Sequence, residues 1–162
     1  MSEIANESSE SITSFRETLY TFNKDAQSTA TQATTIENTT YITLAKIDHI
    51  MYKSSAYKNL VNGRIQDQLG SHHECNLGKW YESKEGKARF SHLDSYKQID
   101  KPHSTIHEMV HKNLKFIEQE DRSIEHQDEI IENFHTMEDA SQVLFNLMDN
   151  LIHESEKELC KK

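Results

Sequence analysis

Cys75 stands in the run His73-Glu74-Cys75-Asn76-Leu77-Gly78-Lys79-Trp80-Tyr81, which also holds the only tryptophan of the chain and one of its two cysteines. Gly and Trp are poor choices for an exposed helical surface, so this composition points to local structure shaped around the sulfur. Upstream, His49 lies in the run 44–53, which has helical apolar spacing and no Gly or Pro. Downstream, His103 and His107 stand at i and i+4, on one face of a helix. Pro102 just before them suits a helix start, where its missing N–H costs no hydrogen bond. One helix can therefore offer two imidazole nitrogens, a second helix a third, and the loop at Cys75 a thiolate. That set satisfies a tetrahedral zinc ion with no water in its shell. His73 is an alternative to one of the four, and His111, a further i+4 step along, is a competitor for metal. Asp48 and Asp100 are candidate acceptors for the free N–H of a ligating imidazole, a supporting role common around metal sites. Trp80 and Tyr81 read as packing that pins the cysteine loop.

The elements that must position these groups are helices. A chain of 162 residues with four Gly and one Pro, 28% charged and 35% hydrophobic, has too little punctuation for a sheet protein. The formal charge of −9 argues against binding nucleic acid through a basic face. No apolar run approaches the roughly 18 residues of a membrane span and no signal peptide is visible, so the expected location is cytoplasmic. In such a compartment a disulfide between Cys75 and Cys160 is disfavoured, and Cys160 reads as an exposed residue of the charged C-terminal end.

The apolar pattern divides the chain into residues 1–40, an N-terminal coiled-coil helix, and residues 41–158, a zinc-binding helical bundle. A 4-3 spacing runs through Ile12, Phe15, Leu19, Phe22, Ala26, Thr29, Ala33 and Ile36 and on to Ile47 and Ile50. Its small and hydroxylated middle implies a helix that depends on a partner, and the stripe as a whole predicts a homodimer. Asn62-Gly63 is a helix stop. Residues 65–72 read as a short helix or turn and 77–81 as one or two helical turns. Residues 87–97 read as a short helix with Phe90, Leu93 and Tyr96 inward. Helices over 103–118 and 123–158 follow, the first with Ile106, Val110, Asn113 and Ile117 inward. The last has Ile124, Ile131, Phe134, Val143, Leu144, Leu147, Met148, Leu151 and Ile152 on its apolar side, and a break near Asp121 separates the two. The architecture is an all-α, antiparallel four-helix-type bundle with an N-terminal coiled-coil extension, the metal lying between helices.

Cys75, Leu77, Gly78, Trp80 and Tyr81, with an upstream helical His and a downstream His-x-x-x-His pair, resemble the chemoreceptor zinc-binding domain family over roughly residues 40–155. Lys53 and the run 99–103 also look like family positions. The resemblance implies one zinc in a His3Cys site of His49, Cys75, His103 and His107, with Leu77, Gly78, Trp80 and Tyr81 as the supporting motif. The N-terminal run 3–12 is similar to the last turns of a chemoreceptor signalling coiled coil. Together they imply a non-catalytic sensory module that responds to zinc, or to oxidants such as hypochlorous acid through Cys75, and signals to chemotaxis proteins. A zinc-stapled structural dimerisation module is the alternative. A zinc hydrolase with Glu74 or Glu108 as base is a more distant one, because His103-x-x-x-His107-Glu108 lacks the His-Glu-x-x-His order.

Overall fold

The computed structural model of the chain describes residues 2–66, 68–118 and 126–159. Among the described residues six α-helices follow in the order α1 Ser2–Asn62, α2 Asn76–Glu82, α3 Lys84–Phe90, α4 Asp94–Gln98, α5 Asp100–Glu118 and α6 Gln127–Leu159. No strand occurs among the described residues. The fold is an all-α bundle in which three short helices stand between the long α1 and the long α5 in the chain. No helix among the described residues is long and apolar enough to cross a membrane. The expected break near Asp121, Ile124 and Cys160 all lie outside the described residues.

The chain forms two compact units, Met1–Asn38 and Thr39–Lys162. In the first, α1 is continuous although rich in Ser and Thr. Thr13, Thr18, Thr21, Thr29 and Thr34 each donate a side-chain hydrogen bond to the carbonyl four residues back, so their hydroxyls do not compete with the helix. Its apolar stripe lies open, with Phe15 63% and Phe22 67% exposed.

In the second unit α1 turns a different face inward: Ile42, Ala45, His49, Lys53, Ala56 and Asn59 are buried, whereas Ile47 and Ile50 of the seam are exposed. Lys46 pairs with Asp149 at 2.5 Å and Lys53 with Glu138 at 2.6 Å, so α6 runs antiparallel to α1. The helix stops in a paired turn: Gly63 N donates to Leu60 O, Arg64 N to Asn59 O, and Gly63 takes φ 62°, a conformation glycine adopts without strain. α5 buries Ile106, Met109, Val110, Leu114 and Ile117 against α6, which contributes Met137, Leu144, Met148 and Leu151. Each such side chain stabilises the fold by about 1.5–3 kcal/mol. The register of the pair is fixed by polar groups, since the Asn133 side chain donates to Asn113 Oδ1 at 2.8 Å and Asn113 Nδ2 to Ile130 O at 3.1 Å.

Of the short helix or turn expected over 65–72 it is a turn that occurs, at 72–74, and residues 65, 66 and 68–71 are not helical. Two expectations change. The helix expected over 87–97 is two, broken after Phe90 and restarted at Asp94, although Phe90, Leu93 and Tyr96 do point inward. On α6, Ile131 and Val143 are exposed, and Asn133, Met137, Ser141 and Ser155 take the buried positions.

Candidate metal centre

α1 supplies His49 and α5 supplies His103 and His107, all three about 98% or more buried. Their rings lie edge to face, with centroids 5.0 Å apart for His49 and His103, 5.7 Å for His49 and His107, and 5.0 Å for His103 and His107. Cys75 closes the group, its Sγ 3.2 Å from His103 Nε2. One donor atom from each of His49, Cys75, His103 and His107 lies within 4.8 Å of the others, so the four could hold a metal ion.

The hydrogen bonds around the imidazoles choose which nitrogen is offered. His49 Nδ1–H donates to Ala45 O at 2.7 Å, and His107 Nδ1–H donates to Gly70 O at 2.9 Å. Each leaves Nε2 as the lone-pair nitrogen. His49 Nε2 and His107 Nε2 are buried with no hydrogen-bond partner in the protein. A buried acceptor left unpaired costs about 1–3 kcal/mol, and two converging on a third imidazole and a sulfur are what a bound cation would satisfy. The donors therefore fit zinc in number and chemistry.

Cys75 is held by a tight turn. Glu74 Oε2 accepts from both the N–H and the hydroxyl of Ser71, and Cys75 then caps α2, its Sγ accepting from Gly78 N at 3.3 Å. Gly78 is required here because a Cβ at that position would lie 1.8 Å from His72 O. Leu77 is fully buried. Trp80 packs against Tyr41, Phe90 and Tyr96, and Tyr81 stacks on Tyr96, whose hydroxyl donates to Tyr81 O. Ser83 N–H and hydroxyl both donate to Trp80 O, which ties the end of α2 to α3.

His73 stands outside the group, exposed and paired with Glu82. His111 Nε2 reaches Gly70 O at 3.4 Å. Asp48 corrects an expectation: its carboxylate accepts from Asn76 Nδ2 at 2.9 Å, and the imidazole N–H groups of His49 and His107 go to backbone carbonyls. Asp100 is exposed at the start of α5, where its charge contributes to the raised Tyr81 pKa behind burial, the larger cause. Glu108 pairs with Lys112 at 3.0 Å on the exposed side of α5. Tyr52 was missed by sequence reasoning. Its ring lies 4.2 Å from that of His107 and its hydroxyl donates to the same Gly70 carbonyl, one turn of α1 from His49.

Burial lowers the pKa of all three imidazoles, with His103 pushed down to about 2 and His107 to about 4, and their neighbouring histidines lower those two further. They are thus neutral and available as ligands at neutral pH. Burial also pushes the Cys75 thiol up, against the N–H groups of Gly78 and Leu77. A stability change follows for the metal-free protein. Above the ordinary histidine pKa of about 6.5 neither the folded nor the unfolded chain holds these protons, and the shifts have no effect. As pH falls below it the unfolded chain binds protons that the folded chain refuses. Stability then drops by up to ~1.4 kcal/mol per pH unit for each histidine. Urea unfolding of chelator-treated protein should therefore show a lower midpoint at pH 5 than at pH 7.5, and equal midpoints would contradict the buried neutral cluster.

No curated protein and no solved structure matches the chain. Residues 49–114 start on the first of these imidazoles, take in all four donors and match the family model of the chemoreceptor zinc-binding domain.

Proposed function

We propose that His49, Cys75, His103 and His107 hold one zinc ion in a non-catalytic sensory module, and that the Cys75 sulfur is its redox switch. The observation that carries this reading is an asymmetry of access. The histidine side chains are only 1–2% exposed, whereas Cys75 is half-buried; it lines an open cavity of about 310 Å³ whose wall His49 and His107 share, so the sulfur is the donor that solvent reaches most readily. Bound zinc keeps the sulfur as a thiolate. Attack of that thiolate on hypochlorous acid forms an S–O bond and breaks the O–Cl bond. Sulfur gives up two electrons, chloride leaves, and the sulfenic acid is a poorer donor. Cys75 sits on a turn at the head of a seven-residue helix, so it is the donor that leaves with least disturbance.

The consequence travels through aromatic packing. Trp80, on the same short helix, meets Tyr41 of α1 at 5.0 Å, and the Tyr41 hydroxyl donates to Asn76 O. Release of Cys75 would loosen α2 and with it this hold on α1, the helix that also carries His49. In the reading we favour, the exposed stripe of Ile12, Phe15, Leu19 and Phe22 pairs two copies as a coiled coil. That helix would pass the change to chemotaxis signalling proteins in the cytoplasm. A monomer by sedimentation would remove the pairing from this account.

Fluorescence of Trp80, the sole tryptophan, reports the switch. Hypochlorous acid should shift the emission of zinc-loaded protein to the red as Trp80 leaves its packing, and Cys75→Asp should show the shifted spectrum without oxidant. An unchanged spectrum with Cys75 fully oxidised by mass spectrometry would make the sulfur a staple.

A further inference from the structure

His72 is not among the four donors, yet it stands at the rim of their cluster. Its ring centroid lies 5.7 Å from that of His103, the same separation as His49 from His107 inside the cluster, and 6.3 Å from that of His107. It meets His103 edge to face, the arrangement the three clustered imidazoles adopt among themselves.

The backbone ties His72 to the cysteine. Cys75 Sγ–H donates to His72 O at 3.4 Å, and that carbonyl presses on the glycine of α2 where a Cβ would sit 1.8 Å away. His72 and Cys75 therefore belong to one compact turn, with His72 outside the set of donor atoms that lie within 4.8 Å of one another and brought to it only by a swing of its side chain. The neighbouring His73 ring lies 3.8 Å from that of His72 at a tilt of 40° but is engaged by Glu82, which holds it away from this role. His72 is half-buried and lies in a turn, where its side chain can swing without unwinding a helix.

We propose that His72 is a reserve ligand, which takes the fourth position on the metal when the Cys75 sulfur is lost from it. The inference rests on the reading of the site given above and adds a destination to the switch. Three buried nitrogen donors with a fourth imidazole arriving make a complete zinc shell, so metal would stay with the domain while the sulfur is away. Loss of sulfur would then change the shape of the turn at 72–75 rather than empty the site. Release would be reversible without any search for new zinc.

Cobalt(II) tests this, since its visible bands report donor number and a thiolate-to-cobalt band reports the sulfur. Binding constants for cobalt and for zinc would be measured by chelator competition in the unmodified chain, His72→Ala, Cys75→Ala and the double variant. His72→Ala alone should change affinity by no more than about twofold and keep the thiolate band. Cys75→Ala should keep four-coordinate cobalt without that band. The double variant should bind about tenfold more weakly or worse than Cys75→Ala, in line with loss of a metal ligand. His72→Gln serves in the same cycle if the alanine lowers helix content, and Cys75→Ala/His73→Ala should match Cys75→Ala. Equal constants for Cys75→Ala and for both of its His72 double variants would overturn the reserve role while leaving the four-donor site intact. An unmodified chain that binds neither metal would overturn the site and the proposal with it.

Discussion

His103→Ala should leave a protein that cannot retain zinc through dialysis, with affinity reduced on the order of 100-fold or more. Structural zinc contributes roughly 10–16 kcal/mol of apparent binding energy in small domains. Shared among four donors, this is ~3 kcal/mol for each, or about two powers of ten. His103 should lie at the upper end because it touches every other donor: its ring meets those of His49 and His107 at 5.0 Å and its Nε2 meets Cys75 Sγ at 3.2 Å. It is also 1% exposed, so water is poorly placed to fill the gap. Zinc content by mass spectrometry and affinity by chelator competition give the answer. His73→Ala and His111→Ala, outside the group, should stay near one zinc per chain. Stoichiometric zinc at unchanged affinity in His103→Ala would move the site elsewhere.

The groups that gather at this site were legible because their signals are local. An i, i+4 histidine pair behind a proline can only share a helix face, and α5 places it there with both rings buried. Asn62-Gly63 stops α1 through a positive φ, a backbone requirement that glycine reveals in any sequence. Faces were harder to read. α1 carries two stripes across the second unit, and the more apolar one, through Ile47 and Ile50, is exposed. The buried stripe contains His49, Lys53 and Asn59, because a cluster of imidazoles, an ion pair to Glu138 and a turn-capping amide occupy positions that hydrophobicity alone would give to solvent. The same holds on α6, where the buried series Asn133, Met137, Ser141, Leu144, Met148, Leu151 and Ser155 advances in steps of three or four that two outward-facing residues, Ile131 and Val143, obscure.

What no spacing could reveal was the use of backbone. Sequence offers the carboxylates of Asp48 and Asp100 as acceptors for a ligating imidazole, whereas the structure supplies the carbonyls of Ala45 and Gly70 to His49 and His107. The Gly70 carbonyl receives His107, Tyr52 and His111 together, which explains why Gly70 stays out of a helix: a carbonyl spent within a helix would be turned along its axis. Every residue type has a carbonyl, so its role leaves no mark on composition.

Gly78→Ala should be among the most damaging single methyl groups that can be added to this protein. In an ordinary helix the exchange stabilises by up to ~1 kcal/mol, because alanine has the better propensity. The sign reverses here because Gly78 is buried against backbone. A Cβ would stand 1.8 Å from His72 O, 2.8 Å from His72 C and 3.0 Å from His73 Cα, and none of these atoms is the tip of a flexible side chain. Either α2 or the turn at 72–73 has to shift by more than an ångström. Overpacking that moves backbone costs about 1–3 kcal/mol and at times more. The shift also breaks the bond from Gly78 N to Cys75 Sγ and carries the sulfur away from His103. Zinc affinity should therefore fall together with stability, by tenfold or more, whereas a merely structural lesion far from the metal would lower stability alone. Gly70→Ala is the matched control, since its nearest contact is a side-chain tip, Glu74 Oε2 at 3.2 Å, which has only a few tenths of an ångström to give, and its effect should be smaller on both scales. Urea midpoints and chelator competition on the two variants would decide the matter, and a Gly78→Ala protein as stable and as tightly zinc-bound as Gly70→Ala would mean that the turn and α2 are not packed as described.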